Sequence, residues 1–262
     1  FYRPLLEISR NDLRNYLLNL GVSWVEDKSN DDLKFDRVKI RKLIDEISYN
    51  SIIKKKRISN IAYHMQRAQN SLKETLLEKS KKIVKISYCG DVLIDMAEFK
   101  KISHELQLRL ISKSLLWISG KVYKPRIKNL ERFIVALSSP YFKSKTLMGV
   151  IASSSKTEII LRRELNFIKE LEVKNNDIFV WENRWQLQVT FSDIKKLYIK
   201  PIKNIKTYKI EYDSDKDRLE SFNLLPGLFK NDTLLCVPSI KHGNGLSILK
   251  YPNLDSFLKF LT

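Results

Sequence analysis

The sequence predicts a multidomain α+β protein: a helix-bearing N-terminal segment, a long linker helix, a mixed middle domain and a small strand-rich C-terminal domain. Three observations predict it. Apolar residues recur every three or four positions from Ile58 to Leu76, as on one face of a long amphipathic helix. Beyond residue 176, short alternating runs separated by turn residues replace helical spacing. Charge is also unevenly spread. Residues 1–47 carry 9 basic and 9 acidic groups, residues 48–175 carry 26 and 11, and residues 176–262 carry 13 and 10. Expected domains are therefore 1–47, 48–175 and 176–262.

Residues 1–8 read as a short strand with Pro4 near its start. Ser9 suits an N-cap, with Asp12 at N3, and Leu13, Tyr16, Leu17 and Leu20 form a stripe that stops at Gly21. Trp24-Val25 reads as a brief strand, and residues 39–47 begin another helix. The helix through Ile58, Ile61, Ala62, Met65, Ala68, Leu72 and Leu76 follows, preceded by Lys54-Lys55-Lys56-Arg57. Arg57, His64 and Arg67 lie largely off its apolar stripe.

Val92-Leu93-Ile94 is a short strand, and Leu106 to Ile118 a helix ending at Gly120. Pro125, at N1, opens a helix with Ile127, Leu130, Phe133, Ile134 and Leu137 on one face, broken by Ser138-Ser139-Pro140. Strands are expected over Lys145–Ala152 and Glu158–Arg163. Ile178–Trp181 and Trp185–Phe191, alternating around Glu182-Asn183-Arg184, read as a hairpin. Its tryptophans suit packing, with base stacking as the functional alternative. Lys206–Tyr212 and Thr233–Ile240 read as strands, and Lys241-His242-Gly243-Asn244-Gly245 as a surface turn.

Net charge is +18 with 43% hydrophobic residues, so the chain can bury cores and favours a polyanionic partner. A lysine-rich proteome explains many lysines, but not their concentration in one segment. A basic middle beside a neutral N-terminal segment suits a clamp on a nucleic-acid backbone, because neutralised phosphates release counterions. Cys89 and Cys236 stand apart in apolar surroundings and read as buried free thiols in a reducing cytoplasm. His64, His104 and His242 are scattered, so no metal site is expected. No apolar run reaches bilayer-spanning length, and no membrane partner is expected.

The densest chemical signal is residues 24–41. Acids come first (Glu26, Asp27, Asp31, Asp32, Asp36), then bases (Arg37, Lys39, Arg41). Grouped carboxylates can hold an ammonium, and arginine forks can hold phosphate oxygens. The plainer alternative is a solvated turn followed by a helix with Asp36 as N-cap.

Arg3-Pro4-Leu5-Leu6, Ser9-Arg10, Trp24-x-Glu26-Asp27-x-Ser29-Asn30-x-Asp32 and Arg37-x-x-Ile40-Arg41 together resemble the tRNA(Ile)-lysidine synthase family. Thr146-Leu147-x-Gly149 with Arg163-Glu164 resembles that family's middle domain in its alphaproteobacterial form. Trp181-Glu182-Asn183-Arg184-Trp185 and Leu225-Pro226-Gly227-Leu228-Phe229 are similar to its C-terminal elements. One position departs: Val38 stands where the family pattern has Asn, so any role of that amide is open.

The resemblance implies that 1–47 closes an α/β PP-loop domain, that 48–175 holds the linker helix and a tRNA-binding domain, and that ATP and Mg²⁺ are used. The family's Ser-Gly-Gly-x-Asp-Ser run is absent, and the chain enters mid-motif at Phe1. It therefore reads as the C-terminal part of such an enzyme, with the nucleotide and metal held mainly elsewhere. This part alone is expected to bind tRNA without catalysis. The implied reaction adenylates C2 of the wobble cytidine in a minor isoleucine tRNA. The amine of free L-lysine then displaces AMP, giving lysidine. The catalytic candidates are Glu26, Asp27, Arg37 and Arg41; the substrate-binding candidates are Arg3, Lys54, Lys55, Lys56, Arg57 and Arg67. A related PP-loop tRNA thiolase is disfavoured by the isolated cysteines. A non-catalytic RNA-binding adaptor would explain the basic middle but not the Glu26–Asn30 run.

Overall fold

A computed structural model describes residues 4–5, 8–50, 55–139, 141–155, 157–174, 176–190, 196–208 and 219–262, excluding the side chains of 48–50, 55, 205 and 219. The chain forms two compact units, 1–67 and 68–262.

The first unit is helical. Helix α1 (Arg10–Asn19) starts at Ser9, whose hydroxyl accepts the Asp12 N–H at 3.1 Å and donates to the Asp12 carboxylate at 2.6 Å. It ends with Gly21 at φ +65°. A 3-10 turn (Lys28–Asn30), helix α2 (Asp36–Asn50) and the start of α3 (Lys55–Ile83) follow. Three expectations need correction. Of residues 1–8, the described Pro4, Leu5 and Ile8 are turn and bend, not strand. Trp24-Val25 pairs with no described strand. Asp36 is not an N-cap: the Phe35 carbonyl receives the Val38 and Lys39 amides, and Asp36 sits inside the first turn, paired with Lys39 at 3.0 Å.

The second unit begins within α3. A five-stranded antiparallel sheet, in the order β1-β2-β5-β4-β3, comprises β1 (Val84–Ile86), β2 (Val92–Asp95), β3 (Ser144–Leu147), β4 (Val150–Ser154) and β5 (Glu158–Arg163). Helices α4 (Met96–Lys101), α5 (His104–Ser119) and α6 (Ile127–Leu137) lie between β2 and β3 in the chain. Gly120 stops α5 in the left-handed conformation at φ +66°. Arg126, not Pro125, is the cap of α6, so the proline lies just outside the helix. The strand expected over Lys145–Ala152 is really two strands, because Met148 (φ +60°) and Gly149 (φ +79°) turn the chain into a tight hairpin.

A second antiparallel sheet has the order β12-β11-β10-β9-β6, and a third β13-β8-β7. Their strands are β6 (Leu171–Val173), β7 (Ile178–Trp181), β8 (Trp185–Val189), β9 (Leu197–Pro201), β10 (Pro226–Lys230), β11 (Thr233–Val237), β12 (His242–Gly243) and β13 (Leu246–Lys250). Helix α7 (Leu219–Phe222) precedes β10, and α8 (Leu254–Leu261) ends the fold. The β7–β8 hairpin forms as its alternation predicts, with Trp181 opposite Trp185. Both rings are buried, at 3% and 1% exposure, so they pack and do not offer a stacking platform. The strand expected at Lys206–Tyr212 is instead a 3-10 turn over Ile205–Tyr208, and residues 209–212 lie outside the described residues. Likewise Thr233–Ile240 changes from strand to a 3-10 turn at Pro238.

Two hydrophobic clusters fill this unit. In the first, α5 (Leu110, Ile111, Leu115) and α6 (Phe133, Leu137) pack on the inner face of the first sheet. Phe257 and Leu261 of α8 join it, and the Phe257 ring meets Trp117 edge-on at 5.4 Å. Trp185, Leu187, Leu197, Ile199 and Leu228 form the second cluster. Cys89 and Cys236 are buried within it, neither in a disulfide.

Polar ties cross between the clusters. Arg163 donates to Glu182 at 2.7 Å, Arg184 to the Gly90 carbonyl, and Ser221 to Asp91. Burial pushes Arg184 down to about 10, against the opposing charges of Asp91 and Glu182; it stays cationic at neutral pH.

Candidate functional site

The acidic loop of the first unit is organised by side chains from α1. Trp24 Nε1 donates to Glu26 Oε1 at 2.9 Å, Arg10 donates to Oε2 at 2.6 Å, and Arg14 donates to Oε1. Arg10 and Arg14 stand one turn apart on α1, so a single carboxylate bridges both. Arg14 also lies over the Trp24 ring at 5.8 Å. The Trp24 hydrogen bond, then the two arginines, hold the Glu26 carboxyl below its ordinary range. The sequence reading missed Arg10 and Arg14 in this role; their i,i+4 spacing ahead of a carboxylate-rich loop was the available signal.

Asp27 is placed differently. It caps the 3-10 turn, accepting the Ser29 N–H at 2.8 Å. The Ser29 amide, then its hydroxyl, and the charge of Arg37 keep its carboxyl below the usual range. A carboxyl with a lowered folded-state pKa contributes stability above its ordinary pKa and loses that contribution as pH falls through the lowered value. A ¹³C carboxyl titration of Asp27 is expected to give a midpoint below the free value of about 3.9. A midpoint at or above that value would contradict the cap.

Arg37 and Arg41 follow on α2, one turn apart, and the Arg37 guanidinium lies over the Phe35 ring at 4.9 Å. Between them Val38 is 2% exposed and is the one buried residue among those described in the first unit. An apolar side chain thus packs where the resembled pattern has an amide. Asp32 accepts its own Lys34 amide at 2.9 Å. The structure therefore gathers Glu26 with α1 and brings Arg37 within electrostatic reach of Asp27.

Of the substrate-binding candidates, Arg3 and Lys54 lie outside the described residues. Lys55 opens α3; Lys56 and Arg57 follow it and are exposed. Arg67 lies over the Tyr63 ring at 5.9 Å and is also exposed. Around them the first unit leaves large apolar side chains uncovered, among them Leu18 (63%), Val25 (94%) and Leu43 (54%).

These residues do not fit a bound ATP or Mg²⁺. Gly21 is the lone glycine in residues 1–67, and it closes α1, so no glycine-rich loop can cradle phosphates. Among the described residues no three acidic, histidine or cysteine side chains converge as metal ligands. No helix among them is long and apolar enough to cross a membrane.

A family model described as a PP-loop domain matches residues 1–47. A tRNA(Ile)-lysidine synthase of Wolbachia pipientis wMel is 31% identical over 246 residues, covering 92% of this chain and 56% of that protein. The synthase of Wolbachia sp. subsp. Brugia malayi (strain TRS) is 31% identical over 245 residues, with the same coverage. That of Ruegeria pomeroyi is 30% identical over 186 residues, 71% of this chain and 43% of that protein. The chain spans about half the length of these curated relatives.

Proposed function

Since the chain belongs to the tRNA(Ile)-lysidine synthase family, we propose that it works within an ATP-dependent cytoplasmic ligase that joins free L-lysine to the wobble cytidine of a minor isoleucine tRNA. The observation that carries this reading is the 31% identity, over 92% of the chain, to proteins of that name. The acid-then-base loop, inside the stretch matched as a PP-loop domain, supplies chemistry suited to it.

Cytidine C2 bears a neutral, urea-like carbonyl, a poor electrophile. Adenylation of its oxygen makes AMP the leaving group. The incoming lysine is a cation and must be held and deprotonated before attack. In this reading Asp27 meets that ammonium. Both oxygens of Glu26 are already engaged by Trp24, Arg10 and Arg14, so Glu26 positions the loop on α1. Arg37 and Arg41 would offset charge on the departing phosphate. Arg3, Lys54, Lys55, Lys56, Arg57 and Arg67 would hold the tRNA backbone. ATP and its Mg²⁺ would bind through residues other than these. The uncovered apolar side chains of the first unit would be covered by the remainder of a PP-loop domain, as exposed apolar surface of this extent marks a contact face.

Binding of this chain to transcripts of the minor isoleucine tRNA and of elongator methionine tRNA, at one salt concentration, tests the reading. A preference of about tenfold or more, worth ~1.4 kcal/mol, for the isoleucine tRNA is expected. Equal affinities would remove tRNA discrimination from this chain.

A further inference from the structure

The second unit contains a cavity of about 360 Å³ between α3, α5, the loop before α6 and α8. Three ammonium groups converge on it: Lys73 of α3, Lys113 of α5 and Lys124 of the loop. The one carboxylate lining it, Glu105, is already paired with Arg109 at 2.6 Å. Lys113 donates to the Phe260 carbonyl at 3.1 Å and stands 5.3 Å from the centre of the Phe260 ring, while Lys73 donates to the main-chain oxygen of Thr262 at 3.3 Å. Burial, and then the charges of Lys124 and Lys73, push the Lys113 pKa down. Like charges that act on one another around one cavity are costly, and an anion would relieve them.

The floor is apolar, with Leu76, Leu108 and Leu130 all buried. Beside it stands Ser112, 6% exposed, whose hydroxyl has no hydrogen-bond partner among the described residues. A buried hydroxyl left unpaired is unfavourable, so the site is incomplete as it stands. Inorganic phosphate would satisfy the lysines and leave the floor empty. A fatty acid would cover the floor and leave Ser112 unpaired. A phosphate joined to a flat body with a polar edge satisfies all three features, and the volume lies in the range of small-molecule sites.

We propose that this cavity binds one nucleoside monophosphate unit, with its phosphate among Lys73, Lys113 and Lys124 and its base on the leucine floor against Ser112. The unit is either a free nucleotide or an unpaired nucleotide of an RNA; the second case rests on the tRNA reading above.

The test titrates the full 262-residue chain with AMP, adenosine and inorganic phosphate by calorimetry. In parallel, a short RNA duplex with a 2-aminopurine 3′ overhang is compared with its blunt counterpart by fluorescence. AMP is expected to bind at least about tenfold tighter than adenosine or phosphate, and Lys113→Gln or Ser112→Val to weaken it about tenfold. That outcome assigns the free nucleotide. An overhang signal without AMP binding, lost in both variants, assigns the RNA nucleotide. No response to either probe overturns the proposal, as does a response that both variants leave unchanged. Circular dichroism confirms that each variant is folded, and Lys113→Gln keeps most of the side-chain stem should Ser112→Val repack α5. Tight tRNA binding with neither probe bound defeats the cavity proposal alone. AMP binding without tRNA binding defeats the tRNA reading alone.

Discussion

Binding of tRNA by this chain is expected to weaken about 10³-fold when salt rises from roughly 50 to 200 mM, as for a protein that neutralises some six phosphates. The expectation comes from where the charge lies. Residues 48–175 hold 26 basic and 11 acidic groups, whereas residues 176–262 hold 13 and 10. Few of the bases in the basic stretch are spent internally. Arg109 pairs with Glu105 and Lys101 with Glu98, but Lys56, Arg57, Lys121, Lys124 and Lys128 are exposed with no described carboxylate partner. Exposed ammonium and guanidinium groups of this kind exchange condensed counterions for phosphates, so affinity follows the logarithm of salt concentration. A filter-binding salt series gives the slope directly. A flat dependence would mean that the excess of lysine is a solvated surface and that tRNA contact lies elsewhere.

Local signals in the sequence carry much of the fold. Gly120 stops α5 and Ser9 caps α1, because both effects act within one helical turn. Alternation fixes the β7–β8 hairpin for the same reason. Errors arise where two local signals compete. Lys145–Ala152 is apolar enough for one strand, yet Gly149 lets Met148 and Gly149 fold it into two. Near Lys206, apolar alternation gives way to a 3-10 turn, since alternation alone supplies no strand partner. The site was less legible still. Its composition marks the acidic loop, but the clamp on Glu26 joins residues 16 and 12 positions apart. Nor does any periodicity show that Lys73, Lys113 and Lys124 converge on one cavity.

Replacing Arg163 with Met is expected to destabilise the second unit by about 3–5 kcal/mol, since it strands a largely buried carboxylate. Arg163 stands at the end of β5, in the first sheet, and is 8% exposed. Each of its three nitrogens donates: Nε to Glu182 at 2.7 Å, Nη1 to the Gly149 carbonyl and Nη2 to the Phe167 carbonyl, both at 2.9 Å. Glu182 sits in the β7–β8 turn, so one guanidinium fastens the hairpin of the second core to the sheet of the first. Lysine cannot substitute, because a single ammonium cannot span three acceptors in a planar fork. Urea unfolding should therefore show a lower midpoint in Arg163→Met. The double variant Arg163→Met, Glu182→Gln should recover part of the loss, because the Glu182 carboxylate is then no longer stranded without its guanidinium. If the tie couples the cores, circular dichroism and tryptophan fluorescence should report one transition in the parent chain and separate transitions in Arg163→Met. A loss below ~1 kcal/mol would show that water screens the pair and that the other contacts between the two cores hold them together.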